Sequence, residues 1–281
     1  MILSLTAYAK INLYLDVHAK RSDGYHDLVS VMQQVSLSDT VSAERTESGI
    51  TITCTDPAIP TDERNIAHKC ARAFFDFYRI SGGVKIAIEK HIPAAAGLAG
   101  GSTDGAAVLT LLNRLYGTGA DIDTLCEIGA KVGADIPFCI RGGTCICEGI
   151  GEILTPLTLP KKNYRILIVF PGDGVSTAEA FRNLDSTPDD SAGHSIDDVL
   201  EPLKAGKIPV KLYNSFERAI LPVHPTAAKV KSTLLANGAL TAMMSGSGPS
   251  VFGLFDSEAA LDSAADMLRS AGFDVYPCEP V

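Results

Sequence analysis

The sequence predicts an α+β protein built from two domains. Three observations carry that expectation: an unbroken two-residue alternation near the N-terminus, strands and helices intermixed with many antiparallel signals, and 281 residues, enough for two ordinary domains. No internal repeat is present.

The alternation runs over residues 3–18. Leu3, Leu5, Ala7, Ala9, Ile11, Leu13, Leu15 and Val17 share one parity, and Ser4, Thr6, Tyr8, Lys10, Asn12, Tyr14, Asp16 and His18 share the other. This is a half-buried antiparallel strand with Lys10 and Asn12 on one face, and a run of that length is expected to bend or break. A turn at Ser22-Asp23-Gly24 leads to strands at 29–37 and 50–55. Asn65 opens a helix with Ile66, Cys70, Ala73, Phe74 and Phe77 on one face and Gly82 as its stop. Val84, Ile86 and Ile88 make the next strand. A glycine loop then feeds a helix over 106–116, with Ser102 or Thr103 as N-cap and Asp104 in the first turn.

A helix over 122–132 ends at Gly133, and strands at 144–148 and 152–157 join through Gly149-Ile150-Gly151. Pro156, Pro160, Lys161 and Lys162 mark the boundary between domains 1–158 and 159–281. Ile166-Leu167-Ile168-Val169-Phe170 is wholly apolar and reads as a central strand, and Ser176-Thr177-Ala178-Glu179 as a capping box opening a helix through Phe181. Residues 185–195 are polar and read as a loop. Helices follow at 196–205, 210–221 and 225–237, a strand at 240–244, a second glycine loop at Ser245-Gly246-Ser247-Gly248-Pro249, a strand at 251–255, a helix at 258–271 and a strand at 273–276.

Lys and Arg number 24 against 33 Asp and Glu, a net charge of −9, which speaks against nucleic acid and anionic membrane as partners. An anionic small ligand must then be held by backbone N–H groups and a few placed cations. No apolar run approaches the ~20 residues that span a bilayer, the N-terminus lacks a signal-peptide core, and no transit-like segment is expected before Met1. A bacterial cytosolic setting is expected. The seven cysteines, Cys54, Cys70, Cys126, Cys139, Cys145, Cys147 and Cys278, are odd in number without a C-x-x-C pair, and read as reduced thiols rather than a metal site.

The first glycine loop carries the clearest chemistry. Glycines and hydroxyls at the mouth of a helix offer unpaired N–H groups and a positive dipole end, an anion site. The stretch 97–103 lacks the lysine of a Walker A loop and the order of a dinucleotide fingerprint, so a plain strand-to-helix turn is the competing reading. Asp135 lies among Ala134, Ile136, Pro137 and Phe138, an apolar setting in which an acid needs a partner; a lysine is the natural one, and a cap or turn aspartate is the alternative. Lys10 alone reads as an exposed lysine on a polar face, Tyr25 and His26 as turn residues, and Phe181 as core.

Six motifs stand in order along nearly the whole chain: Ala9-Lys10-Ile11-Asn12-Leu13-Tyr14-Leu15, Asp23-Gly24-Tyr25-His26, the loop from Ile92 to Asp104, Gly133-Ala134-Asp135-Ile136-Pro137-Phe138, Glu148-Gly149-Ile150-Gly151-Glu152, and Ser245-Gly246-Ser247-Gly248-Pro249-Ser250-Val251-Phe252. Together they resemble the GHMP small-molecule kinases. The first, second and fourth resemble the members that act on 4-diphosphocytidyl-2-C-methyl-D-erythritol.

The resemblance implies an N-terminal domain related to the ribosomal protein S5 domain 2-like fold and a ferredoxin-like C-terminal α/β domain. It implies ATP, with Mg²⁺ carried by the nucleotide, bound by Pro93, Ala94, Ala95, Ala96, Gly97, Leu98, Ala99, Gly100, Gly101, Ser102 and Thr103. It implies Lys10 and Asp135 as the catalytic pair, no acidic metal ligand, and Asn12, Tyr25, His26, Thr177 and Phe181 around the cytidyl substrate. The aromatic rings would stack on the cytosine and His26 would bond its edge, while Asn12 and Thr177 would orient the methylerythritol or its diphosphate. Homoserine and mevalonate kinases of the same family, and a non-catalytic nucleotide-binding protein, are the competing readings; Asp23-Gly24-Tyr25-His26 argues against the first two and retention of Lys10 and Asp135 against the third. Ala95 and Ala96 stand where glycine is common, so the loop is expected to use conformations that alanine allows, and Gly105 is expected to weaken its helix by roughly 1 kcal/mol.

Overall fold

A computed structural model describes residues 1–161, 164–189 and 191–281; Lys162 of the expected boundary and Asp190 of the expected loop fall outside them. The chain forms two compact units, one of Met1–Ala9, Leu37–Ala94 and Ala99–Gly142, the other of Lys10–Ser36, Ala95–Leu98 and Gly143–Val281. Two long strands, β1 (Ile2–Lys20) and β2 (His26–Thr46), run through both. β1 continues without the expected break over 19 residues. The second face is not solvated throughout, however, because Lys10, Asn12 and Tyr14 are buried along with the apolar parity.

In the first unit, β3 (Gly49–Cys54) pairs in parallel with β4 (Gly83–Glu89), and β4 pairs antiparallel with β2 from Thr40↔Glu89 to Thr46↔Gly83. Four helices, α1 (Ile66–Tyr78), α2 (Gly100–Tyr116), α3 (Ile122–Ala130) and α4 (Ile136–Arg141), complete it. The apolar face of the strands, including Val41, Val84, Ile86 and Ile88, forms one core with Phe74, Leu109 and Leu112 of α1 and α2. Asn65 caps α1 by accepting from the Ala67 N–H. The helix ends at Arg79 in the left-handed region, φ 51°, before it reaches Gly82, and the buried face uses Phe75 while Phe77 is exposed. The segment after Gly133 opens α4, with Asp135 at its N-cap position and Pro137 in its first turn.

Gly105 has a packing reason. A Cβ there would lie 2.7 Å from Cys70 Sγ and 3.1 Å from Ile66 Cγ2, so the small residue lets α1 and α2 approach. The helix-propensity cost is exchanged for that contact.

In the second unit, β5 (Thr144–Glu148) pairs with β2 at Ser30↔Cys147 through Gln33↔Thr144, and with β6 (Ile153–Pro156). The apolar strand is β7 (Arg165–Phe170). Then come α5 (Thr177–Asp185), α6 (Asp197–Lys204), β8 (Tyr213–Asn214), α7 (Glu217–Ile220), α8 (Pro225–Ala236), β9 (Thr241–Met244), β10 (Val251–Phe255), α9 (Glu258–Ser270) and β11 (Asp274–Cys278). The antiparallel order β11-β7-β10-β9 places β7 and β10 inside the sheet, where both faces are covered, as their apolar sequences require. Their side chains share a core with Ala180, Ile220, Val230, Leu261 and Leu268 of the helices.

Three expectations fail here. Residues 210–221 do not form one helix: Tyr213 and Asn214 join β1 in parallel register with Tyr14 and Leu15, and only Glu217–Ile220 is helical. Ser176 occupies the N-cap of α5 without a side-chain bond, so the capping box does not close. α5 runs on past Phe181 to Asp185, shortening the expected loop.

Candidate functional site

The loop 93–103 departs from its expected backbone. Ala95 (φ 51°) and Ala99 (φ 57°) join Gly97 (φ 76°) in the left-handed region, so two alanines carry a conformation that the sequence reading reserved for glycine. α2 accordingly begins at Gly100 with Ala99 at its N-cap, and neither Ser102 nor Thr103 caps it. Thr103 instead donates its Oγ1–H to the Tyr8 carbonyl within the first unit.

Hydrogen bonding explains what these turns achieve. Every carbonyl from 95 to 99 is tied inward: Ala95 O accepts from Val175 N, Ala96 O from Ser250 N, Gly97 O from Ser245 Oγ, Leu98 O from Lys10 N and Ala99 O from Thr103 N. Among the described residues, no amide from 94 to 102 donates to a protein acceptor. With the carbonyls turned away, the loop is a row of spare N–H donors at the positive end of a 17-residue helix. Gly97 is fixed by contact as well as by φ, because a Cβ there would stand 2.1 Å from the Ser245 carbonyl oxygen.

Lys10 belongs to the second unit, on β1, and is buried. Its ammonium donates to Asn12 Oδ1 at 2.7 Å; Asn12 Nδ2 donates to Ser30 Oγ at 2.8 Å, and Ser30 Oγ–H to the Tyr14 carbonyl at 2.7 Å. The shared strand face predicted for Lys10 and Asn12 is therefore a hydrogen-bonded pair. The second glycine loop lies against them: a Cβ at Gly246 would come 3.1 Å from Lys10 Nζ and 3.5 Å from Asn12 Oδ1. Asn214 Nδ2 donates to the Met244 and Gly246 carbonyls, and Thr177 Oγ1 stands 3.2 Å from Ser247 Oγ. Within this unit the loop 245–248 thus gathers Lys10, Asn12, Gly97 and Thr177.

Also in the second unit, His26 is buried and stacks on Phe181, with ring centroids 4.8 Å apart and 22° between planes. Its Nε2 lies 2.6 Å from Asp185 Oδ1, and Lys20 Nζ reaches Asp185 Oδ2 at 3.4 Å. Slight burial raises the Asp185 carboxyl, and the bonds to His26 and Lys20 outweigh it, holding it below the usual carboxylate range. Phe181 meets Phe216 edge-on. Tyr25 is 60% exposed on the tight turn where Gly24 has φ 89° and Asp23 accepts the Tyr25 N–H.

Asp135 lies in the first unit, half-buried at the head of α4. The same unit holds a buried ion cluster that the sequence reading missed: Lys90 with Asp39 and Asp104. Their side chains are at most 4% exposed. Burial and the nearby Asp39 charge push Asp104 up to about 7 against the pull of Lys90; burial lowers Lys90, but the two carboxylates carry it above its ordinary value. Lys90 and Asp104 are 14 residues apart in sequence and Asp39 is on another strand, so no local spacing announces them. Asn214, Ser30 and Asp185 were missed for the same reason.

Among the described residues no group of three or more His, Cys, Asp or Glu side chains is placed to hold a metal ion, and no helix is long and apolar enough to cross a membrane. In the first turns of α2, Asp104 is held by Lys90. Brought by a nucleotide, Mg²⁺ would take its ligands from phosphate oxygens and water.

Comparison with known proteins agrees with this chemistry. Residues 65–143 match the GHMP kinases N terminal domain, and 204–274 the GHMP kinases C terminal domain. A 4-diphosphocytidyl-2-C-methyl-D-erythritol kinase from Clostridium perfringens is 43% identical over 272 residues, covering 95% of this chain and 93% of its own. A crystal structure of 4-(cytidine 5'-diphospho)-2C-methyl-D-erythritol kinase superposes with TM-score 0.82 at 33% identity, covering 98% of both chains. A homoserine kinase from Cytophaga hutchinsonii shares the fold, with TM-score 0.75 over 99% of this chain and 95% of that one, at 20% identity.

Proposed function

Because the chain belongs to the GHMP kinases and, within them, to the 4-diphosphocytidyl-2-C-methyl-D-erythritol kinases, we propose that it moves the γ-phosphoryl group of ATP to the 2-hydroxyl of 4-diphosphocytidyl-2-C-methyl-D-erythritol, releasing ADP. The observation that carries this reading is the loop whose carbonyls are all turned inward and whose amides from 94 to 102 are unspent. Those amides and the α2 dipole are the phosphate site, and Mg²⁺ brought by the nucleotide would supply further charge neutralisation there.

Phosphoryl transfer has a loose transition state, so positioning and charge neutralisation outweigh early ionisation of the alcohol. The alcohol oxygen bonds to the γ-phosphorus as the bridging bond to ADP breaks, and Asp135 takes the alcohol proton late in the step. Lys10 faces the transferring phosphoryl. Its direction is set by Asn12, itself anchored through Ser30 to the β1 backbone. Tyr25, His26 and Phe181 hold the cytosine, with His26 oriented by Asp185, and Thr177 beside Ser247 orients the diphosphate or polyol.

The test is ADP release with three alcohols offered separately: the diphosphocytidyl-methylerythritol, homoserine and mevalonate. Turnover with the first alone supports the proposal. Turnover with either of the others instead overturns the substrate assignment, and none with any of them leaves a nucleotide-binding protein.

A further inference from the structure

The phosphate loop has two ends, and one buried cluster in the first unit holds both. At the entrance, Asp39 Oδ1 on β2 accepts the His91 and Ile92 amides at 2.6 and 2.8 Å. At the exit, Asp104 lies on the first turns of α2. Lys90 joins the two, donating to Asp39 Oδ2 and, at 2.9 Å, to Asp104 Oδ2. Its ammonium sits directly beneath the first residue of the helix, since a Cβ at Gly100 would be 2.9 Å from Lys90 Nζ.

Stability alone does not call for this arrangement. One lysine and one aspartate would close a neutral pair, and apolar residues of similar volume commonly match or exceed a buried ion pair in stability. Here a second carboxylate is added, and Asp104 Oδ1 is buried with no hydrogen-bond partner among the described residues. What the second carboxylate does achieve is geometric. Without Asp104 the lysine would tie the entrance strand only to β2; with it, the first turns of α2 are tied to the same ammonium. The spacing between residues 92 and 104, and with it the curvature of the amide row between them, is then set from below.

We propose that Lys90, Asp39 and Asp104 are positioning residues for the nucleotide, a buried ionic clamp that closes the two ends of the glycine loop on each other. The proposal rests on the reading that this loop takes the phosphates. None of the three residues contacts the phosphates in this account; they act through the amides of the loop. The clamp therefore governs nucleotide affinity and leaves the chemical step and the alcohol site alone.

The experiment measures ADP affinity by calorimetry, KM for ATP, KM for the alcohol, kcat at saturating nucleotide, and melting temperature. Asp104→Asn keeps the side-chain shape and removes the charge. It is expected to weaken ADP binding and raise KM for ATP by roughly 10- to 100-fold, the scale of a misplaced binding group, with kcat and the alcohol KM within about twofold. Phe74→Leu, a core variant in the same unit, is expected to lower the melting temperature and keep wild-type ADP affinity, which separates positioning from general destabilisation. Should Asp104→Asn not fold, Lys90→Gln is measured by the same criteria. Unchanged ADP affinity in the clamp variant, or an equal loss in Phe74→Leu at matched melting temperature, overturns the clamp. Gly97→Ala distinguishes the premise: if it leaves ADP affinity intact, the loop does not hold the phosphates, whereas if it abolishes binding while Asp104→Asn does not, only the clamp is wrong.

Discussion

Asp135 and Asp104 are two aspartates of one unit with opposite uses. Asp135, half-buried at the head of a short helix, is the proposed acceptor of the alcohol proton; Asp104 is buried against Lys90 and Asp39. Asp135→Asn keeps the shape and loses the base, so turnover falls by ~10²–10⁴-fold with both KM values near wild type, as steady-state kinetics would show. For Asp104 the consequence is in stability. Its carboxyl is raised in the folded protein from the ordinary carboxylate range to about 7. The folded state therefore binds more protons than the unfolded one between those limits, and this group's contribution is full at low pH and lost as pH rises through about 7. Denaturant melts of wild type and Asp104→Asn from pH 4 to 8 are expected to differ by that falling component, which the variant lacks. A difference that rises with pH would show the carboxyl to be held down instead.

Single elements show best what the sequence disclosed. The period-2 run became β1, the apolar pentad became the interior strand β7, and Asn65 capped α1, because in each the local pattern and the tertiary demand agree. Where they disagree, tertiary contacts won. Tyr213 and Asn214 left a helical pattern to pair with β1, and Asn214 then bonded two carbonyls of the second glycine loop. Ala95 and Ala99 accepted positive φ because five consecutive carbonyls had to face inward. The candidate loop, Lys10 and Asn12 were legible from residue type and spacing, but their long-range partners were not. Asp185, Ser30 and Lys90 reach their targets across folds of the chain that no local period encodes. Gly105 gives the sharpest test of this division. Propensity says that Gly105→Ala stabilises α2 by roughly 1 kcal/mol, whereas overpacking against Cys70 and Ile66 costs about 1–3 kcal/mol. A melting temperature lowered by several degrees, partly restored in Gly105→Ala/Cys70→Ala, is the expected result of differential scanning calorimetry.

At the scale of the whole molecule, a net charge of −9 stands beside a proposed site for two polyanionic ligands. The resolution is local. Backbone amides carry no formal charge, and the loop 94–102 supplies them at a helix N-terminus, so the proposed nucleotide site needs no basic surface. The same economy explains why the bulk composition disfavours a nucleic-acid partner and leaves a nucleotide open. Family membership, the inward-turned carbonyls and the Lys10–Asn12–Ser30 chain converge on one reaction, and the fate of the γ-phosphoryl group is its most direct readout. Phosphorus NMR of the purified chain with MgATP and 4-diphosphocytidyl-2-C-methyl-D-erythritol is predicted to show ADP and a new phosphomonoester on the 2-hydroxyl in equal amounts. ADP accompanied only by inorganic phosphate, or a phosphomonoester on another hydroxyl, would contradict the account.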